Sequence, residues 1–369
     1  MKILNVIWAF STGGIGKLFL TYADLGTCDP ELEMISVCID LQNCVYDREP
    51  LRGSNIRIIP IKNRRDFSWI KGLDKIANEV KPDMIFCHGF NGPIISKIAA
   101  LKCENLRIPM VCTYHGLYNP PTFGKRPIAN IINKLQAWMY KKYATSVILV
   151  AKYSGEYLIK QGVPEDKMAV IYNGIAEKIP VGKPVQLSHS GIGIGFAGRL
   201  DAIKGLRYLI DAIPLIVKHT NLQFHIYIIG DGPEKGTLLN QVETLGVQGY
   251  ISFEGYQDNI AQWLDSWDVF CLPSLQENHS IALLEAMRAG KAIVCTNVGG
   301  NPETVEHDKE AIVISPKNSA ILADSLTKVI CSPEFRNRLG KNAKARFENS
   351  FTEDIMKKKL CEILKSAMR

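Results

Sequence analysis

Apolar runs of four to seven residues recur along this 369-residue chain. Most are separated by stretches in which apolar residues return every three or four positions. The first pattern is that of strands buried on both faces, the second that of amphipathic helices. It predicts strands at residues 3–9, 33–39, 56–60, 84–88, 110–115, 146–150 and 168–171. A second series follows at 192–197, 224–229, 251–254, 269–272 and 292–295. Helical patterns lie between most of them, as at 206–219 and 321–330. Such alternation predicts parallel sheets with crossover helices. Residues 176–190, with two prolines, a glycine and polar side chains, interrupt the series and read as a linker between domains at 1–180 and 190–351. From Ser350 on, a hydroxyl N-cap candidate and the acids Glu353 and Asp354 mark a final helix start.

Composition narrows the class. Hydrophobic residues make up 46% and charged residues 22%, the mix of a soluble globular protein. The first apolar run is short and leads into Ser11-Thr12-Gly13-Gly14, so it reads as a buried strand rather than a signal peptide. No stretch approaches the ~20 apolar residues of a membrane span. Ten scattered cysteines without a Cys-x2-Cys pair read as reduced, cytoplasmic and metal-free. The net charge of +7 is uneven: residues 1–185 hold 24 Lys and Arg against 16 Asp and Glu, and the remainder 20 against 21. That excess fits either a solvated basic surface or an acidic partner of the N-terminal half, such as an anionic lipid surface. Residues 128–143 carry Ile131, Ile132, Leu135, Trp138 and Met139 ahead of Lys141-Lys142. They read as an amphipathic helix turned toward the core, with interfacial membrane contact as the rival.

The chemistry concentrates in two stretches. In Pro273-Ser274-Leu275-Gln276-Glu277-Asn278-His279-Ser280-Ile281, Glu277 precedes a helical pattern that begins at Ser280 and carries Glu285. The first amides of that helix suit phosphate oxygens. Upstream, Gly198-Arg199-Leu200-Asp201-Ala202-Ile203-Lys204-Gly205 brings two cations to a strand end. Cations for a diphosphate and carboxylates for sugar hydroxyls are what a nucleotide-sugar requires. No Asp-x-Asp is present to hold a metal for that purpose. Gly13-Gly14-Ile15-Gly16-Lys17 follows the first strand as a glycine-rich loop, and Ser11 and Leu18 exclude a P-loop. His115 and His88 end two further strands. Gly193-x-Gly195-x-x-Gly198 lies within a strand rather than after it, so it reads as chance and not as a dinucleotide fingerprint.

On these motifs the chain resembles the family-four retaining glycosyltransferases of the GT-B fold. Their Glu-x7-Glu is matched at Glu277 and Glu285, and their Gly-Arg-Leu-x3-Lys-Gly at Gly198 to Gly205. The resemblance implies an α/β protein of two doubly wound Rossmann-like domains with a cleft between them, and a final helix, 352–369, packing back on the N-terminal domain. It implies metal-independent transfer of a sugar from a nucleotide-diphosphate sugar to an acceptor hydroxyl, in surface polysaccharide or glycolipid synthesis. It implies catalytic roles for Glu277, at the donor-sugar hydroxyls, and for His115, near the reacting carbon. Gly14, Gly16, Arg199, Lys204, Asn278, His279, Ser280, Ile281 and Glu285 would bind the donor, Glu285 at the ribose. Many relatives have small residues where Asn278, His279 and Ser280 stand. The implied partners are a UDP-sugar ahead of a GDP-sugar, a saccharide or lipid-linked saccharide acceptor and an anionic membrane surface, with no nucleic acid and no cofactor. The implied location is cytoplasmic and peripheral to the membrane. Rival readings are a nucleotide-sugar epimerase, a phosphorylase or a non-catalytic nucleotide-sugar-binding subunit.

Overall fold

The computed structural model describes residues 1–8, 14–41, 56–63, 66–88, 108–116, 127–178 and 182–368. Gly13, Arg64, Arg65, Lys125 and Arg126 lie outside the described residues. The chain forms two compact units, residues 1–173 with 353–369, and residues 174–352.

The first unit holds a parallel sheet of β1 (Lys2–Trp8), β2 (Glu33–Leu41), β3 (Ile56–Ile61), β4 (Met84–His88), β5 (Met110–Tyr114), β6 (Ser146–Leu149) and β7 (Met168–Val170), ordered β3-β2-β1-β4-β5-β6-β7. The second holds β8 (Ile192–Ala197), β9 (Phe224–Ile229), β10 (Ile251–Gly255), β11 (Val269–Leu272), β12 (Ala292–Thr296) and β13 (Ala311–Ile314), ordered β10-β9-β8-β11-β12-β13. Every residue of β4, β5, β9, β11 and β12 is buried. That is why these strands read as unbroken apolar runs rather than alternating ones. The strand order reverses beside β1 and beside β8, and ligands of such sheets gather at the carboxyl ends of the strands flanking the reversal.

Four expectations change. The pattern omitted β13, a four-residue run that propensity alone does not separate from a loop; its pairing with β12 makes it a strand. The stretch 176–190 belongs largely to the second unit. Ser266 Oγ donates to the Val185 carbonyl at 2.7 Å, Arg288 Nη1 to that of Ala176 at 2.9 Å, and Ile175 bridges to Thr352. The boundary therefore falls at Asn173 and Gly174, ahead of the prolines. Gly14 and Gly16 are not loop residues: they open the helix α1 (Gly14–Ala23), whose Leu18, Phe19 and Tyr22 are buried. Gly193 and Gly195 do lie inside β8, and Gly195 admits the Trp267 indole against the strand.

The helix α2 (Pro127–Tyr143) inverts the expected facing. It buries Asn133 and Gln136 with Ala137, Met139 and Tyr140, and leaves Ile131, Leu135 and Trp138 65%, 46% and 44% exposed. Gln136 Nε2 donates to the Tyr140 hydroxyl at 2.8 Å, while Gln136 Oε1 is buried without a hydrogen-bond partner.

The last helix, α3 (Glu353–Ser366), belongs to the first unit. It buries Met356, Leu360 and Leu364, and Lys357, 5% exposed, pairs with Glu353 at 2.6 Å and Asp24 at 3.4 Å. Truncating Lys357 strands two acids around a buried void. Lys357→Ala is expected to lower unfolding free energy by about 1–3 kcal/mol in urea titration, discounted from a fully buried pair because Asp24 is half exposed. A midpoint equal to wild type would contradict this docking role.

Candidate active site

Two loops leave the carboxyl ends of β8 and β11, the adjacent strands at the reversal of the second sheet. The first carries Arg199 and Lys204 and runs into the helix α4 (Leu206–His219). The second runs from Pro273 to the helix α5 (Ile281–Arg288). The Leu275 amide donates to the Ile203 carbonyl at 2.7 Å, which joins the two loops. Gly205 stands at φ +66°, and a Cβ there would collide with the Pro273 carbonyl oxygen. The glycine after Lys204 is therefore a requirement of both conformation and space.

This junction brings Lys204 to Glu277. Lys204 Nζ donates to Glu277 Oε1 at 2.7 Å, and Ser274 Oγ donates to the same oxygen at 2.7 Å. Glu277 is 8% exposed, so its charge is held by these two donors rather than by water. Both bonds fall on Oε1, which leaves the acceptor capacity of Oε2 for a ligand. Behind the pair, Thr296 Oγ1 donates to the Ser274 carbonyl at 2.5 Å. Asn301 Nδ2 donates to the Thr296 carbonyl at 3.0 Å. Gly299, at φ +54°, lies so close that a Cβ would overlap the Glu277 carbonyl. Ser274, Thr296, Gly299 and Asn301 escaped the sequence reading. The glycine pair Gly299-Gly300 just past a strand end was the one available signal.

Ser280 caps α5, its Oγ accepting from the Leu283 amide at 3.4 Å, as the sequence predicted. Ile281 opens the helix, so the amides of its first turn face the same end of the sheet as Lys204. Glu285 stands on the second turn, partly exposed, with the Arg288 guanidinium as a neighbouring charge. Asn278 is partly exposed. The His279 ring instead turns inward against Phe351, at 5.3 Å between centroids. Arg199 is not gathered in: its side chain is 71% exposed and approaches Asp201 at 3.7 Å. In the first unit, His115 follows β5 and His88 ends β4.

Sequence models of two families match the chain, that of the group 1 glycosyl transferases over residues 185–346 and that of glycosyltransferase family 4 over residues 40–178. Both models are of glycosyltransferases, and the chain is a glycosyltransferase. An uncharacterized glycosyltransferase of Methanocaldococcus jannaschii is 28% identical over 402 residues, spanning 100% of this chain and 99% of that one. The UDP-Gal:alpha-D-GlcNAc-diphosphoundecaprenol alpha-1,3-galactosyltransferase of Escherichia coli is 25% identical over 303 residues, 78% of this chain and 76% of that one. Among solved structures, Anabaena HepE in complex with UDP-glucose is similar with a TM-score of 0.84 at 21% identity, covering 99% of this chain and 100% of that chain. The fold is GT-B.

This glycosyltransferase keeps an imidazole buried beside its candidate site, with a consequence for stability. Burial pushes the His279 pKa down from 6.5 to about 3. An unfolded His279 takes up its proton near 6.5, so between pH 6.5 and 3 the unfolded chain holds the extra proton. Stability from this residue is thus complete above pH 6.5 and drains as the pH falls through that window. Urea unfolding at a series of pH values should show His279→Gln removing up to about 1.4 kcal/mol per pH unit of acid destabilisation. Parallel pH dependence in variant and wild type would count against it.

Proposed function

We propose that this glycosyltransferase moves a sugar from a UDP-sugar to an acceptor hydroxyl with retention of anomeric configuration and without a metal ion. The observation that carries the reading is the cation–carboxylate pair Lys204–Glu277 at the strand reversal, beside the N-terminus of α5. As the bond between the anomeric carbon and the diphosphate breaks, negative charge grows on the leaving phosphate. Lys204, Arg199 and the first amides of α5 are suited to stabilise it. Glu277 accepts from hydroxyls of the transferred sugar, and Glu285 from the ribose diol. The acceptor hydroxyl attacks from the face the diphosphate leaves, and its proton passes to a leaving phosphate oxygen, so no separate base is needed. The UDP-glucose complex of HepE and the UDP-Gal donor named for the Escherichia coli relative support the choice of UDP.

The Lys204→Ala variant should lose about 10²–10³ in kcat/KM, the worth of one oriented donor at a developing oxyanion. Glu277→Ala should abolish transfer yet bind UDP, whereas Glu285→Ala should weaken UDP itself in calorimetry. Activity should persist in EDTA. Wild-type-like rates in Lys204→Ala, or loss of activity in EDTA, would refute the assignment. Product formed without any acceptor would point to an epimerase instead.

The acceptor we propose is a lipid-linked saccharide, met at an anionic membrane on the cytoplasmic side. No described helix is long and apolar enough to cross a membrane. The exposed face of α2 carries Ile131, Leu135 and Trp138 at positions i, i+4 and i+7 beside Lys134, Lys141 and Lys142. Lys142 Nζ lies 5.2 Å from the Trp138 ring and 5.1 Å from that of Tyr143. An apolar stripe rimmed by lysines matches a lipid interface with anionic headgroups. The positive excess of residues 1–185 acts in the same direction. Each lysine near such a surface contributes about 1 kcal/mol. Sedimentation with anionic vesicles should therefore be strong at low salt, weak at high salt, and reduced in Leu135→Ser/Trp138→Ser. Equal binding to neutral vesicles, or a dimer that the double variant breaks, would overturn this choice of partner.

A further inference from the structure

We infer that Cys28 and Cys361 form a modification site, at which a hydroperoxide oxidises the pair to a disulfide that ties the last helix to the turn after α1. Both residues belong to the first unit, and the inference does not depend on the reading of the transfer reaction.

Two ion pairs fix how the last helix lies on that turn. Lys357 Nζ reaches Asp24 Oδ2 at 3.4 Å. Lys365 Nζ reaches Asp29 Oδ2 and Glu31 Oε2, each at 2.6 Å. Lys357, Cys361 and Lys365 follow one another at i, i+4 and i+8, so they share one face of α3 on successive turns. Opposite them runs the single 3-10 turn Leu25–Thr27, with Asp24 before it, Cys28 closing it and Asp29 next. On the helix a cysteine stands between two lysines. On the turn a cysteine stands between the two acids that those lysines bind, in the same order. This register sets Cys361 toward Cys28. A cavity of about 480 Å³ opens at the junction, and Cys28, Asp29, Cys361 and Lys365 all line it.

The two sulfurs differ in access, which divides their roles. Cys28 is exposed and Cys361 only 7% exposed. Burial first, then the neighbouring Asp29 and Cys28, push the Cys361 pKa up from 9.0 to about 11, so this thiol keeps its proton. An oxidant arriving through solvent therefore meets Cys28 first. The Cys28 sulfur attacks one peroxide oxygen, the O–O bond breaks, and Cys28 becomes a sulfenic acid as the other oxygen leaves as water or an alcohol. The Cys361 sulfur then attacks the sulfenic sulfur. The S–S bond forms, the S–OH bond breaks, and the hydroxide leaves as water with the Cys361 proton. Both thiols are oxidised, and the peroxide takes up the two electrons. The bridge requires the Cβ atoms to come within about 4.5 Å, and the cavity leaves space for that approach.

Proximity alone would favour another pair. The sulfurs of Cys87 and Cys112 lie 3.3 Å apart on β4 and β5. Both are 0% exposed in the middle of the sheet, where an oxidant has no path to them. A bridge between Cys28 and Cys361 would join segments from opposite ends of the chain. It would remove much of the freedom that the unfolded chain has, and so resist undocking of the last helix.

The test treats full-length protein with hydrogen peroxide, alkylates the remaining thiols in acid denaturant and maps the peptides by mass spectrometry. A linked peptide joining Cys28 to Cys361 should form within single chains and vanish with dithiothreitol. Cys361→Ser should leave Cys28 as a sulfenic acid that dimedone captures, and Cys28→Ser should leave Cys361 open to alkylation. Oxidised wild type should unfold at roughly 1 M higher urea than reduced wild type, a shift absent in Cys28→Ser. The peptide map of the wild type decides the matter even where Cys361→Ser does not fold. The inference is overturned if both thiols are still alkylated, or if Cys28 proceeds to a sulfinic acid beside an alkylated Cys361. A link from Cys87 to Cys112 in its place, or one between two copies of the chain, would overturn it as well.

Discussion

The bond from Lys204 to Glu277 is the constraint on which the second unit's site depends. Lys204 sits on the loop after β8, and Glu277 on the loop after β11. Lys204 ends a single 3-10 turn, Ala202–Lys204, and Glu277 lies in an irregular loop, so their mutual geometry must come from tertiary contacts. Gly205 and Gly299 permit the backbones to approach, the Leu275 amide ties the loops, and the ion pair closes them. A carboxylate this buried stays charged only if donors surround it. Lys204 and Ser274 supply them without using Oε2. Lys204 and Glu277 thus hold each other while Oε2 keeps its acceptor capacity.

The first unit uses the opposite strategy. Its strand ends carry neutral groups in series rather than opposed charges. Ser36, Asn5, His88 and Thr113 form one row through an apolar sheet, and the row has a direction because an amide oxygen, an imidazole and a hydroxyl each have limited protons. The two units share one topology and differ in what the strands flanking the reversal deliver.

The same unit spends apolar surface outward. Helix α2 buries two amides and exposes Ile131, Leu135 and Trp138. Folding alone would favour the reverse facing, because apolar side chains gain from leaving water.

Much of this was legible in the chain. Periodicity located twelve of the strands, and their double-sided burial explains why: a parallel sheet needs unbroken apolar runs, which a linear sequence displays. That Glu277 and Lys204 lie at strand ends of one sheet was legible because their spacing is local to a strand, loop and helix. Ser280 announced itself as a cap for the same reason. The rest was decided in three dimensions. Ser274, Thr296 and Gly299 matter only because β11 and β12 are neighbours. Asn5 and Ser36 read as interruptions of apolar strands until register sets them side by side and next to His88. The facing of α2 could not be read from its pattern, since buried amides, one of them bonded through Gln136 Nε2 to Tyr140, and exposed apolar residues give the same helical period as the reverse arrangement. Sequence determines which elements form and which chemistry each strand end carries. Which side chains meet depends on contacts between residues tens to hundreds of positions apart, and only the folded structure brings those together.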